Sequence, residues 1–320
     1  MTETGLVFST FESIATLLVV GVTGFYIIRR KIMPEETLGF LTPLAIDIAL
    51  PALIFVNILS GFDPQTKPGW WELPLWWMAF QGFSAVMTLL FSKLSHQSVR
   101  REFAVSLFFQ NGIFIPLAIV TGIFGKESPQ IVTLILFTLF YPSFFFSTYP
   151  LFFLNKPQKR DFRKIVNPIL VSTLVAVGIT LGGAADHVPG FIVRSFSMIG
   201  NMAVPVLILV IGGNIYVDFK NRGRIVFLEM VKFVLVKNWV YPILMIGILS
   251  VLHVPDEIAL MFFIQSAMPP ITAIPVVVER VGGDGNIANQ FLVSSSLFSL
   301  LSIPFVMYLF SRFVGGGVLF

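Results

Sequence analysis

Two stretches set amides, glycine and proline inside otherwise apolar runs: "FFQNGIFIPLAIV" at 108–120 and "FFIQSAMPPITAIPVVV" at 262–278. Gln110, Asn111, Gln265 and Ser266 offer hydrogen-bond donors and acceptors, while Gly112, Pro116, Pro269 and Pro270 disfavour a continuous helix and free backbone groups for a ligand. Single polar residues interrupt two further runs: Asp47 in "LAIDIALPALI", and Lys237 with Asn238 in "VLVKNWVYP". Nothing here is arranged for covalent catalysis. There is no His-Glu zinc motif, no close pair of aspartates and no Ser-His constellation. His96, His187 and His253 lack metal-ligand spacing, and "GGDGN" at 282–286 lacks the Lys-Ser/Thr sequel of a phosphate loop and reads as a tight turn. These residues suit non-covalent chemistry, the holding of a small polar or ionised solute. No enzyme activity, cofactor, metal or nucleic-acid partner is expected.

The elements that must position these groups are apolar helices. The chain is 56% hydrophobic and 12% charged, with 35 Phe, whereas soluble domains carry about a quarter charged residues. A bilayer core needs roughly 20 apolar residues per helix. Windows of that size predict ten spans, near 6–28, 38–60, 73–92, 103–123, 131–154, 165–184, 190–215, 226–251, 257–278 and 288–310. Lys and Arg alternate between the loops. Fifteen fall on one side, including Arg29, Lys93, Arg101, the basic linker at 155–164, Lys220 and Arg280, against Lys67, Lys126, Arg194 and Arg312 on the other. The positive-inside rule makes the first set cytoplasmic and places both termini outside a plasma (inner) membrane. Trp70, Trp71, Trp76 and Trp77 are then expected in an aromatic belt at the outer interface.

The two interrupted stretches correspond. In each, a Phe pair is followed by Gln and then by Pro eight residues after the first Phe. A second correspondence links "DIALPALI" to "NMAVPVLI", where Asp47 and Asn201 stand four residues before Pro51 and Pro205. Spans two and four thus match seven and nine. An odd shift of five reverses direction across the membrane, which makes the halves, 1–154 and 165–320, inverted repeats. Paired, Pro/Gly-interrupted segments in inverted repeats point to a secondary transporter's binding site. In lipid every backbone group needs a partner, so a broken helix is tolerated only against protein or a water-filled cavity. Half-helix N-termini meeting there would present free N–H groups and positive dipole ends to an anion, with the amides of Asn111 and Gln265 fixing it.

Asp47 is either a proton- or cation-coupling group or a carboxylate pinned to N–H groups near Pro51. Lys237 is either a counter-charge for a carboxylate substrate or for Asp47, or a lysine that snorkels or pairs within the bundle. Gln110 and Asn238 stand beside these as coupling candidates. Glu229 and Lys232, at i and i+3, read as a self-neutralising pair.

"RRKIMPEETLGFLTPLAIDIALPALIF", "NGIFIPLAIVTGIFG", "NPIL" at 167–170, "MAVPVLILVIGGNI" and "SAMPPITAIPVVVERVGGD" resemble, in that order, the auxin efflux carrier family. The resemblance spans almost the whole chain and implies an all-α integral membrane protein of ten helices, two inverted five-helix repeats with crossing, Pro-broken helices four and nine. It also implies a homodimer, scaffold helices 1, 2, 6 and 7 beside transport helices 3–5 and 8–10, and elevator-type carriage of a small organic anion such as malonate, malate or an auxin-like acid. By the same analogy Asn111, Gly112, Pro116, Gln265, Ser266, Pro269 and Pro270 border the substrate. The short linker "NKPQKRDFRK" resembles prokaryotic members rather than the long plant loop, and Asp47 departs from an Asn in many relatives. The alternatives are a sodium-coupled symporter of bile-acid-carrier type, with Gln110, Asn111, Gln265 and Ser266 near Na⁺, or a receptor that binds the same ligands without moving them.

Overall fold

The computed structural model describes residues 3–125, 128–153, 167–220, 225–252 and 254–314. The basic linker, Lys126, Arg222, Arg224 and His253 lie outside the described residues. Up to residue 153 the chain forms α1 (Glu3–Arg29), α2 (Thr37–Pro43), α3 (Leu50–Gly61), α4 (Leu73–Phe91), α5 (Arg100–Phe108), α6 (Phe114–Phe124), α7 (Pro129–Phe137) and α8 (Tyr141–Thr148). From residue 167 it forms α9 (Pro168–Leu181), α10 (Gly190–Gly200), α11 (Ala203–Lys220), α12 (Phe227–Val234), α13 (Tyr241–Val251), α14 (Asp256–Ala267), α15 (Ile274–Arg280) and α16 (Gly285–Phe313). π-helical turns at Leu44–Ala49 and Leu235–Val240 join α2 to α3 and α12 to α13 without interrupting the rod.

Among the described residues, six helical stretches are long and apolar enough to cross a membrane: Thr37–Gly61, Trp70–Leu94, Pro129–Phe153, Gly190–Val217, Phe227–Val251 and Gly285–Phe313. They fall on expected spans two, three, five, seven, eight and ten. Ala15–Arg29, Phe114–Phe124 and Pro168–Leu181 are shorter apolar helices within the windows of spans one, four and six. Spans four and nine are each split, α5 from α6 and α14 from α15. Among the described residues there is no β-strand, only an isolated antiparallel bridge between Gln110 and Pro270.

The helices pack in two groups joined through α1, which also lies against α6 and α16. In the first, α1 lies along α11, and α3 lies against α9 and α10. Glycines make the first contact possible. A Cβ on Gly212 would sit 1.8 Å from Gly21 O, and one on Gly24 would sit 2.1 Å from Leu209 O. Small residues let helix backbones approach where lipid supplies no hydrophobic drive. In the second group α4 packs on α5 and α7, and α16 runs against α12, α13 and α15. Phe103, Phe233 and Phe291 interlock there with ring centroids 4.8–5.5 Å apart.

One expected interfacial residue lies elsewhere. Trp77 is 2% exposed, set edge-on to Tyr141 at 5.9 Å and Phe144 at 5.3 Å. Trp77, Gln81, Ser84 and Thr88, all buried, share one face of α4 by helical spacing. The tryptophan therefore belongs to an inward stripe, while Trp71 remains 54% exposed.

Candidate functional site

The two helix breaks are one structure. Asn111 N–H donates to Pro269 O at 2.7 Å, and Ile271 N–H donates to Phe109 O at 3.0 Å. Residues 109–111 thus pair antiparallel with 269–271, and each break satisfies polar backbone groups the other exposes. The prolines suit this arrangement, since Pro269 and Pro270 have no N–H to strand. Pro116 occupies the third residue of α6, within the first turn, where an N–H has no helical partner.

Side chains reinforce the joint. Gln110 Nε2 donates to Gln265 Oε1 at 3.0 Å, and Gln265 Nε2 donates to Gly112 O at 2.8 Å. Tyr141 O–H donates to Gln110 O. Asn111 Oδ1 accepts from Phe114 N at 3.1 Å and Ile115 N at 3.3 Å, capping α6. Ser266 Oγ donates to Phe263 O at 2.7 Å within its own helix. Gln110, Asn111, Gln265 and Ser266 are all 0% exposed. Gly112 is needed for its size: a Cβ there would press against the Tyr141 ring at 3.0 Å and Gln265 Oε1 at 3.2 Å.

Some polar groups at this joint have nothing to bond. Gln110 Oε1, Asn111 Nδ2, Ser106 Oγ, Trp77 Nε1 and both polar atoms of Gln81 are buried without a partner. The N–H groups of Gly112, Ile113, Thr272 and Ala273 likewise find no acceptor among the described residues. Buried unpaired groups are rare, and each marks strain, water or a ligand. Sequence reasoning missed Gln81, Trp77, Tyr141 and Tyr241 as site residues; the polar i, i+3 and i+7 spacing of Gln81, Ser84 and Thr88 in an apolar span was the signal available.

The coupling candidates separate. Asp47 sits in the first π-helical turn on an exposed position, with no hydrogen-bond partner among the described residues. It is in none of the three ion pairs recorded among the described residues, Lys67–Glu257, Lys220–Glu35 and Lys232–Glu229. The last is the expected i, i+3 pair. Lys237 is 1% exposed and reaches the broken span, with Nζ 3.4 Å from Leu107 O. Asn238 turns the other way, its Nδ2 donating to Ser295 O at 2.9 Å and Ser302 Oγ at 3.2 Å, and its Oδ1 accepting from Ser295 Oγ at 2.7 Å.

Two cavities lie at opposite ends of the broken span nine. One, of about 320 Å³, runs from Thr272 at the break along Pro275, Val276 and Glu279 of α15, with Asn214 on α11 and Asn286, Asn289 and Ser296 on α16. No Lys or Arg lines it. The other, about 260 Å³, is bounded by Asp63, Thr66, Lys67, Val132 and Glu257. Beside it Lys67, Thr133 and Glu257 bond one another, tying the segment after α3 to α7 and α14. Lys67 and Glu257 are 24% and 38% exposed, so the ion pair is worth about 0.2–1 kcal/mol after solvent screening. Lys67→Met should therefore loosen this end. The chain has no cysteine, so Val132→Cys supplies the sole thiol on the cavity wall. Its alkylation rate is expected to rise by roughly 1.4- to fivefold in the Lys67→Met background; an unchanged rate would mean that the ion pair does not hold this end.

Long apolar helices closed over a buried polar joint define a multi-pass membrane protein. A family model described as Membrane transport protein matches residues 9–163 and 160–307. The chain belongs to this family, the auxin efflux carriers, and is a membrane transporter. No curated protein matches it.

Proposed function

We propose that the chain is a ten-span secondary transporter built as two inverted halves, moving a small organic anion by alternating access. The observation that carries this reading is the paired break: two spans interrupted at corresponding positions and stitched together by two backbone hydrogen bonds. A backbone broken within the apolar thickness is tolerated only where protein or a cavity supplies partners. Here the cavity at Thr272 reaches the break. A carboxylate entering along Asn214, Asn286 and Asn289, past the carboxylate of Glu279 on the wall, meets the free N–H group of Thr272, the electropositive group available in a cleft with no basic side chain.

The packing groups supply the moving parts. α1, α3 and α9–α11 form the scaffold, and the elements around the joint move past it as one body. The cavity lies between α11 of the scaffold and α15–α16 of the mobile group. The Lys67–Thr133–Glu257 cluster closes the other end, so this conformation opens towards the side that carries Arg280. The charge pattern makes that side cytoplasmic. The test uses Ile211→Cys with Val293→Cys, on the α11 and α16 walls of the cavity, in proteoliposomes given labelled malonate, malate or indole acetic acid. The paired variant should accumulate one of these acids, a bifunctional thiol reagent should stop it, and reductive release of the bridge should restore it. Accumulation that continues with the bridge in place, or the absence of transport of any organic acid, overturns the reading.

A further inference from the structure

The C-terminal end of α5 is an unusual place for a lysine to be needed. α5 stops at Phe108, and the carbonyls at 107–110 point where a continuing helix would have supplied N–H groups. Each receives a substitute donor. Phe108 O accepts from Ser84 Oγ at 3.0 Å, Phe109 O from Ile271 N–H, and Gln110 O from Tyr141 O–H. Leu107 O has Tyr241 Oη at 3.2 Å and Lys237 Nζ at 3.4 Å. Tyr241 Oη is also 3.2 Å from Ser84 O, and one hydroxyl proton cannot fully serve two carbonyls. Lys237 supplies what is missing.

Of all these donors only Lys237 can carry charge. It is 1% exposed, its ammonium lies 4.3 Å from the centroid of the Tyr241 ring, and no carboxylate comes within 4 Å of it among the described residues. A helix C-terminus carries about half a negative charge, and half-helix C-termini with unwound carbonyls are the groups that hold coupling cations in transporters of broken helices. In this chain a tethered ammonium stands against that end, with an aromatic face adding cation–π attraction.

We propose that Lys237 is a resident cation that fills the place of a coupling sodium ion at the end of α5, so that the transporter has no need of Na⁺ and excludes it there. This rests on the reading of the joint as the core of a transporter. It assigns the residue a specificity role towards the coupling ion rather than a contact with substrate, since Lys237 does not line the cavity at Thr272. Replacing the ammonium by a neutral amide leaves Leu107 O and the carbonyl end of α5 without a cation.

Thermal unfolding of the purified full-length chain, in NaCl and in choline chloride of equal strength, tests this without any substrate. Wild type and Lys237→Arg should melt at the same temperature in both salts. Lys237→Gln should melt lower in choline and gain roughly 3 °C or more as Na⁺ approaches saturation. Saturable stabilisation of the wild type by Na⁺ overturns the proposal. So does a folded Lys237→Gln indifferent to Na⁺, or one that folds in neither salt while Lys237→Arg folds. Because melting needs no solute, failure of transport in proteoliposomes would strike the transporter reading alone, and a wrong Na⁺ pattern would strike this assignment alone.

Discussion

Gln265→Leu should reduce organic-anion transport at least tenfold and lower the melting temperature, although leucine nearly matches glutamine in volume. Gln265 is 0% exposed and spans the joint, accepting from Gln110 Nε2 at 3.0 Å and donating to Gly112 O at 2.8 Å. Leucine leaves one donor and one acceptor buried and unpaired, at about 1–3 kcal/mol each. The combined loss of roughly 2–6 kcal/mol falls on the contact that holds the two breaks in register. Gln265→Glu keeps the acceptor for Gln110 but sets a buried carboxylate oxygen against Gly112 O, so it should do no better than leucine. A double-mutant cycle with Gln110→Leu separates the joint from general damage. The two side chains touch, so their effects should be non-additive by about 0.5–3 kcal/mol, whereas distant buried sites add. Uptake into proteoliposomes and melting curves read both quantities. Wild-type transport in Gln265→Leu would mean that the joint does not have to stay closed.

That joint was half legible in the sequence. Proline, glycine and amides inside apolar runs are local features, and their physical meaning, a broken helix, follows without knowing any partner. The structure places breaks at 109–113 and 268–273, where those residues stand. What the amides bond to was not legible, because it depends on two segments far apart in sequence meeting face to face. Asn111 and Gln265 were expected to hold substrate, yet in this conformation both Gln265 polar atoms and Asn111 Oδ1 serve the protein itself. The side a residue faces was equally hidden. Asp47 and Lys237 looked alike as single charges in apolar runs, but one is exposed and the other enclosed. Both stand in π-helical turns, which add a residue to the turn and rotate the face that simple helical spacing assigns. Lys67 and Glu257 lie 190 positions apart, and nothing local announces their pairing.

The folded scaffold should fail altogether on a change of one methyl group. Gly212→Ala puts a carbon 1.8 Å from Gly21 O, with Gly21 C at 2.6 Å and Cα at 3.0 Å. Real Cβ contacts do not occur at such separations, and the obstacle is backbone, which has no rotamer to give. Helices α1 and α11 must move apart by more than 1 Å, roughly a third of a carbon–oxygen contact distance. Overpacking of a well-fitted core typically costs about 1–3 kcal/mol when side chains can adjust, and here they cannot. Gly24 faces α11 from the other side of the same contact, with Leu209 O at 2.1 Å, so separation undoes both contacts together. Loss of monodisperse protein on size-exclusion chromatography is the expected result for Gly212→Ala and for Gly24→Ala. Gly82→Ala and Gly247→Ala are the controls. Both positions are helical, neither has an atom within 4 Å of a new Cβ, and alanine favours the helix by about 1 kcal/mol. If all four variants behaved alike, the closeness of α1 and α11 would not be what holds the scaffold together. If only the first two fail, the close backbone contact of α1 with α11 is what the folded chain requires.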